Sequence, residues 1–576
     1  MSALTVGLTG AILTGSVAGS VAYGADPFVD GIRAEMDRGK AELKLPDAEG
    51  PYHLAALAYD THAVSITASL GGIVSRDERP GRRLGMVVRS GSTDLDNTNF
   101  DTYPNGIGAQ DLVSEDHLLA IRHDSWLLCD RLYKQAVQAR AAKVAAMARR
   151  ATPDDVPDFA PGAPVTASAP AQPAYDADQL DLLARTLSGV FLAHPTIEWS
   201  QVYIDAEAGR RVMLDTGGVE VIEPVGELAV RVVARTRAVE GATQIDQRLW
   251  IVRSADALPP LEALVVETEA LAAGLEAWRA LPVLDEEYVG PVLVRDQAAI
   301  DLVRHLIAPS LIGTPPEEQP PVGSRVISFD SDGDGGPLQP HRRLLPAGWG
   351  IDDDPGRDPQ RASAYAYDWE GQPAQAVTLV KDGIVQNHLM SRIPSDTFRA
   401  SNGHARVGPG QLPRALAADL RVTAPSVATA RKQHKAAIKL AAAYGLDHYV
   451  VVTRLRDPSV EWLDGGPLVS MRDFDDASTV PAPLEITRVF RDGRTERLRG
   501  AALDGLDLRS FKEVVLGGEV HTAAVESEAG SAFRGPNAGF PITFTVPDLL
   551  FDEVVVEPSP VDAEHPPRLP NPLAAR

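Results

Sequence analysis

The sequence predicts an α+β protein with a mixed N-terminal part of hairpins and long helices and a strand-rich C-terminal part. Three observations predict it. Residues 63–92 alternate apolar and polar on both sides of a charged Gly/Pro turn, the period-2 pattern of a hairpin. Residues 116–150 form a long Ala-, Leu-, Lys- and Arg-rich run, a composition of strong helix formers. From Tyr288 onward short apolar runs alternate with acidic, Gly-rich loops, which reads as strands and turns.

The elements follow in order. The first 25 residues carry no charged side chain and end in small residues around Ala22-Tyr23-Gly24, so they read as a secretory signal peptide. The expectation is a chain exported to the periplasm or beyond, cytoplasmic only if this leader does not function. Its Gly, Ser and Thr content is too polar for a retained membrane helix, and no later stretch could span a membrane. Residues 26–115 read as an N-terminal α/β hairpin domain: helical spacing of Phe28, Ile32 and Met36, then the hairpin carrying Val64, Ile66, Ala68 and Leu70 opposite Leu84, Met86 and Val88. Residues 116–287 read as a middle domain of helices and a β-meander, interrupted by a Pro/Ala-rich connector at 153–175. Residues 288–556 form the C-terminal domain, with one clear helix over 424–445 ending at Gly445, and 557–576 are a Pro-rich tail.

Charge and composition exclude much. The 79 acidic residues against 55 basic give a formal charge of -24, which repels a phosphate backbone and argues against nucleic acid as partner. Cys129 is the only cysteine, so neither an internal disulfide nor a Cys-based structural zinc site can form. It sits beside Trp126, Leu127 and Leu128 in a helical run, the setting of a core thiol.

The local catalytic patterns are absent or incomplete. None of the 13 histidines precedes a Glu, and no two stand three to five residues apart, so a local helical zinc site with its general base is absent. No G-x-S-x-G elbow or P-loop occurs. The stretch "VMLDTGG" at 212–218 presents Asp215 as an aspartic protease would, but that chemistry needs two carboxylates sharing a proton. With no second D-[ST]-G, only a homodimer could supply the partner; the plainer reading is a hairpin turn. "DSDGDGG" at 330–336 starts like a calcium loop, yet its twelfth position is His341, where a bidentate Glu belongs.

Four segments in order carry a resemblance: "YVGPVLVRDQAAIDLVRHLIAPSL", "YDWEGQPAQAVTLVKDGIVQNHLMSR" at 367–392, "SNGHAR" at 401–406 and "PITFTVPDLLFDEVVV" at 541–556. Together they resemble the TldD/PmbA (modulator of DNA gyrase) metallopeptidase family over about 288–556, which implies a barrel-like C-terminal domain. In the TldD branch, the helix after the "GPVL" strand carries H-E-x-x-x-H and a Cys near the C-terminus completes the zinc site. Here those helix positions hold Arg304, His305 and Pro309, and "VESEAGSAFRGPNAGFPITF" contains no Cys. A permanent guanidinium repels a metal ion and a proline disturbs the helix. The resemblance is therefore closest to the PmbA/TldE branch. It implies no catalytic or metal-binding residue and no cofactor on this chain, zinc on a TldD-like catalytic partner subunit, and extended peptides as substrates of the pair. Arg304, Asn402, Gly403 and His404 are the expected peptide contacts. Two other readings stay open: a peptidase built on Asp215 in a homodimer, or a non-enzymatic binding or assembly protein on the same fold.

Overall fold

The computed structural model describes residues 26–148, 156–317, 337–460, 463, 480–527, 539–559 and 571–575. The expected leader, the acidic loop 330–336 and most of the stretch that would hold the family's Cys lie outside them.

The N-terminal half comprises α1 (Pro27–Glu42), β1 (His53–Ser69), β2 (Gly72–Arg89), β3 (Ile107–Asp111), α2 (Leu118–Met147), β4 (Val165–Ser168), α3 (Ala177–Gly189), β5 (Ile197–Asp215), β6 (Val219–Arg237), β7 (Thr243–Val252) and α4 (Leu261–Trp278). Its strands form a single seven-stranded sheet in the order β3-β2-β1-β5-β6-β4, with β7 also paired to β6. This corrects the expected boundary between residues 115 and 116. β1 and β5 pair from Ala55↔Asp215 to Ala68↔Val202, so the two expected domains share one sheet. The connector also contributes a strand, because β4 pairs with β6.

Period 2 gives this sheet two unlike faces. Even-numbered residues bury against helices: Leu54, Ala56, Leu84 and Met86 under α1 and α2, and Val64, Ile66, Ile204 and Val230 under α3 and α4. Odd-numbered residues face the C-terminal half, where Leu57, Met213, Val219 and Val221 pack on Tyr365 and Trp369. Cys129 of α2 is buried in the first helical layer. Burial pushes its thiol up to about 12, so the native protein should react with a thiol reagent far more slowly than the unfolded chain. Following thiol modification with and without denaturant checks this; equal rates would contradict the packing.

The C-terminal half holds β8 (Tyr288–Val294), α5 (Asp296–Leu302), β9 (Gly350–Asp353), β10 (Val377–Lys381), β11 (Ile384–Val385), β12 (Ala405–Arg406), β13 (Arg414–Ala415), β14 (Asp419–Thr423), α6 (Ala430–Ala443), β15 (His448–Val452), β16 (Ile486–Phe490), β17 (Thr495–Leu498), β18 (Ala501–Asp504), β19 (Val514–Glu526) and β20 (Pro541–Pro558). Its main sheet has eleven strands in the order β11-β10-β9-β14-β20-β8-β15-β16-β17, with β18 and β19 also on β20. The sheet stays open, which corrects the barrel-like expectation. β20 is nearly continuous in apolar residues and buried from Pro541 to Phe551, as a strand covered on both faces must be. Its Pro547 lies opposite a register shift between Gly517 and Val520, where a missing N–H costs the ladder little.

Candidate functional site

Arg304 lies just beyond α5, at the junction where the C-terminal half meets β6 and β7. The helix loosens there into a π-helical turn, Val303–Ile307, closed by Ala308 N–H on the Val303 carbonyl at 2.9 Å. A 3-10 turn, Pro309–Leu311, follows, and Pro309 itself has no N–H to continue the ladder. Pro309 is exposed, whereas the Arg304 side chain is only 11% accessible and its Nη1 lies 3.9 Å from Asp457 Oδ2. Arg304 and Pro309, the positions that the sequence resemblance pairs with zinc ligands, thus differ in exposure. Among the described residues no group of three His, Cys, Asp or Glu side chains could hold a metal ion. A cation and an imino acid are the wrong donors for zinc, so the residues do not fit that metal here.

Around Arg304 the junction gathers charge from both halves. Asp457 accepts from Gln247 Nε2 of β7 at 2.5 Å. Arg231 of β6 is 1% exposed and donates to Glu526 Oε2 of β19 at 2.7 Å, and it also bonds Gln247. Arg454 reaches Asp246 Oδ1 at 2.6 Å. Burial raises several of the carboxyls. Glu526 is pushed up to about 7, with Arg231 offsetting part of the effect. Asp301 in α5 rises to about 6 despite Arg304. Glu227 of β6 rises to about 8, by burial first and then by the neighbouring charges of Glu207 and Glu526. Such crowding of perturbed groups marks a candidate functional site.

The odd-numbered face of the N-terminal sheet supplies the near wall. Glu223, Glu227 and Arg231 recur at even spacing along β6 and so share one face. This was a signal in the sequence: charges on the same side of an otherwise apolar strand. The groups that Glu526 and Asp457 bring to it could be found only once the halves were docked.

The other expected site residues lie elsewhere. His404 is fully buried; its ring bonds Asp353 Oδ1 at 3.1 Å through Nε2, and Nδ1 lies 3.0 Å from the Asn402 carbonyl. Asn402 uses Oδ1 to accept from Met390 N–H and Nδ2 to donate to the His388 carbonyl, both at 2.8 Å. Gly403 is buried against the Pro373 carbonyl. Peptide contact by Asn402, Gly403 and His404 is therefore corrected: their polar atoms are spent on an internal corner. Asp215 caps its turn, with Oδ1 accepting from Gly217 N–H at 2.7 Å and Val219 N–H at 2.9 Å, and Oδ2 from Arg392 at 2.8 Å. Its side chain is 3% exposed, which leaves no surface for a twin carboxylate across a dimer axis and corrects the homodimeric aspartic-protease reading.

The family model of the PmbA/TldA metallopeptidase C-terminal domain matches residues 339–456. Among solved structures, a protein described as a modulator of a DNA gyrase from Thermotoga maritima MSB8 superposes with a TM-score of 0.56 at 12% identity, covering 91% of this chain and 100% of that one. TldE from Thermococcus kodakarensis gives 0.53 at 11% identity, with 91% and 99% covered. A modulator of DNA gyrase from Bacteroides thetaiotaomicron VPI-5482 gives 0.54 at 10% identity, with 92% and 98% covered. No curated protein matches the chain. At these identities the structural likenesses speak for the fold. Residues 339–456 carry the C-terminal domain of the PmbA/TldA metallopeptidases, and the chain as a whole shares the fold of these solved structures.

Proposed function

We propose that this chain is the zinc-less, TldE-like subunit of a peptidase, pairing with a TldD-type metallopeptidase to enclose and cleave extended peptides. The observation that carries the reading is Arg304: a permanent cation, ion-paired to Asp457, stands at the first zinc-ligand position of the catalytic branch. A guanidinium keeps its charge at any working pH, so the position is closed to metal. The likeness to a solved TldE supports the same branch. The chain's share of the work is then to wall the chamber and hold peptide, while the partner supplies zinc and cuts. The charge-free leader at 1–25 supports export of the pair. No described helix is long and apolar enough to cross a membrane.

Native purification of the tagged full chain, with metal analysis and mass spectrometry, tests this. The expected result is a stoichiometric TldD-like partner, zinc only in the mixed complex, and an N-terminus trimmed near residue 25. Zinc at one per chain in a preparation free of other subunits would overturn the pseudoenzyme reading. Purification with no such partner would favour the free-standing binding protein.

A further inference from the structure

We propose that the carboxyl cluster centred on Glu227, where the two halves meet, is a subsite for one organic cation, the ammonium or guanidinium of a lysine or arginine side chain on an extended peptide. Glu207 and Glu227 sit directly opposite one another across β5 and β6. Like charges so placed repel across about 5 Å and destabilise the pair. Asp205 lies one pleat further along the same face of β5, and Glu526 approaches from the C-terminal half.

The four carboxyls are not equally occupied. Glu207 accepts from Thr61 Oγ1 at 2.7 Å, and Asp205 from Ser65 Oγ at 2.6 Å. Glu526 gives Oε2 to Arg231. Its other oxygen, Oε1, is buried in a residue only 8% exposed and has no hydrogen-bond partner among the described residues. The Glu227 side chain forms no hydrogen bond or ion pair among the described residues, and the residue is only partly covered. A buried acceptor without a donor is costly, and Glu526 Oε1, set beside the partly covered Glu227 carboxyl, calls for a ligand rich in N–H. The nearest built-in cations are committed: Arg231 to Glu526 and Gln247, and Arg406 to the Ala417 and Pro541 carbonyls. Burial first, and then the neighbouring Glu207 and Glu526, raise Glu227 to about 8; a bound cation would offset the charge part of that penalty.

A metal ion is the weaker occupant. Among the described residues no three such groups stand where they could hold one. An ammonium offers three donors and a guanidinium five, enough to bridge carboxyls set on two strands and two halves. An extended peptide laid along the sheet would present alternate side chains to this face.

The proposal deepens the peptide-holding reading and rests on it only for the kind of molecule that carries the cation. The test uses the isolated full chain and two fluorescein-labelled nonapeptides of the same sequence, one with lysine at the centre and one with norleucine. Fluorescence anisotropy at pH 8 should give about tenfold tighter binding of the lysine peptide. Glu227→Gln should bring the two within about twofold, and Glu227→Lys should favour the norleucine peptide. Circular dichroism and melting confirm that each variant folds. Equal affinities in the parent chain, no binding of the lysine peptide at millimolar protein, or a preference that survives both Glu227→Gln and Glu207→Gln would overturn the subsite. Partner recovery is measured separately. A lysine preference without a TldD-like partner leaves the subsite standing and the subunit reading fallen, and the converse holds equally.

Discussion

Replacing Arg231 by Met is expected to cost the protein about 3–5 kcal/mol at neutral to alkaline pH, the usual penalty for stripping one partner from a buried pair. Arg231 and Glu526 are 1% and 10% exposed at the side chain and 2.7 Å apart. They join β6 of one sheet to β19 of the other, so the loss falls on the docking of the two halves. Removing the cation leaves the Glu526 carboxylate in a low-dielectric site. Taking away the acid as well, in Arg231→Met/Glu526→Met, should recover at least about half of the loss, because two apolar groups no longer need compensation.

The sign of the pH dependence follows from the raised Glu526 carboxyl. It titrates near 7 in the folded chain against an ordinary value of 4.5. Between those two values the folded state holds a proton that the unfolded state has released, so this group makes stability fall as pH rises through the window. Without Arg231 the carboxyl is driven higher still. The Arg231→Met penalty should therefore be smaller at pH 5.5 than at pH 8. Guanidinium midpoints at the two pH values measure it; a penalty independent of pH would mean that Glu526 carries none of the loss.

The second large effect is expected at Gly403. Its φ is +75°, a region where a side chain costs about 1–2 kcal/mol. A Cβ there would also lie 2.2 Å from the Pro373 carbonyl oxygen and 2.8 Å from Ala374 Cα. These are backbone atoms, and the corner around them is pinned by Asn402 and by His404 on Asp353. Overpacking adds about 1–3 kcal/mol. Gly403→Ala should thus lose about 3 kcal/mol or more in equilibrium unfolding. Gly445 provides the control. Its φ is +76°, yet a Cβ added there would meet no atom within 4 Å, so Gly445→Ala should lose only about 1 kcal/mol. Equal losses at the two sites would show that conformation alone decides and that the corner at 401–406 can yield.

The same corner shows how far linear reading reaches. Asn402-Gly403 declares a turn because the pair tolerates positive φ, and the structure has one. Nothing in six residues says whether a turn meets water or protein. His404 is buried because Asp353, some fifty residues earlier, points a carboxylate at it. Asp215 is similar: its turn was legible from Asp-Thr-Gly-Gly, while its pairing with Arg392 was not. The boundary placed at 115 failed for a related reason. Helix α2 interrupts the chain, but β1 and β5 hydrogen-bond across it, and strand pairing obeys register in space.

What the sequence determined by itself is what depends on neighbours along the chain. Period-2 runs made the hairpins, strong helix formers made α2, and positive-φ glycine ended α6. Tertiary structure alone decided which sheet face lies under helices and which meets the other half. It brought Glu526 and Asp457 to Arg231, Arg304 and Glu227 from hundreds of residues away. Charge in a strand is only a polar face until another layer lies over it; the desolvation that lifts those carboxyls comes from the docking of two sheets, and no local pattern encodes that distance.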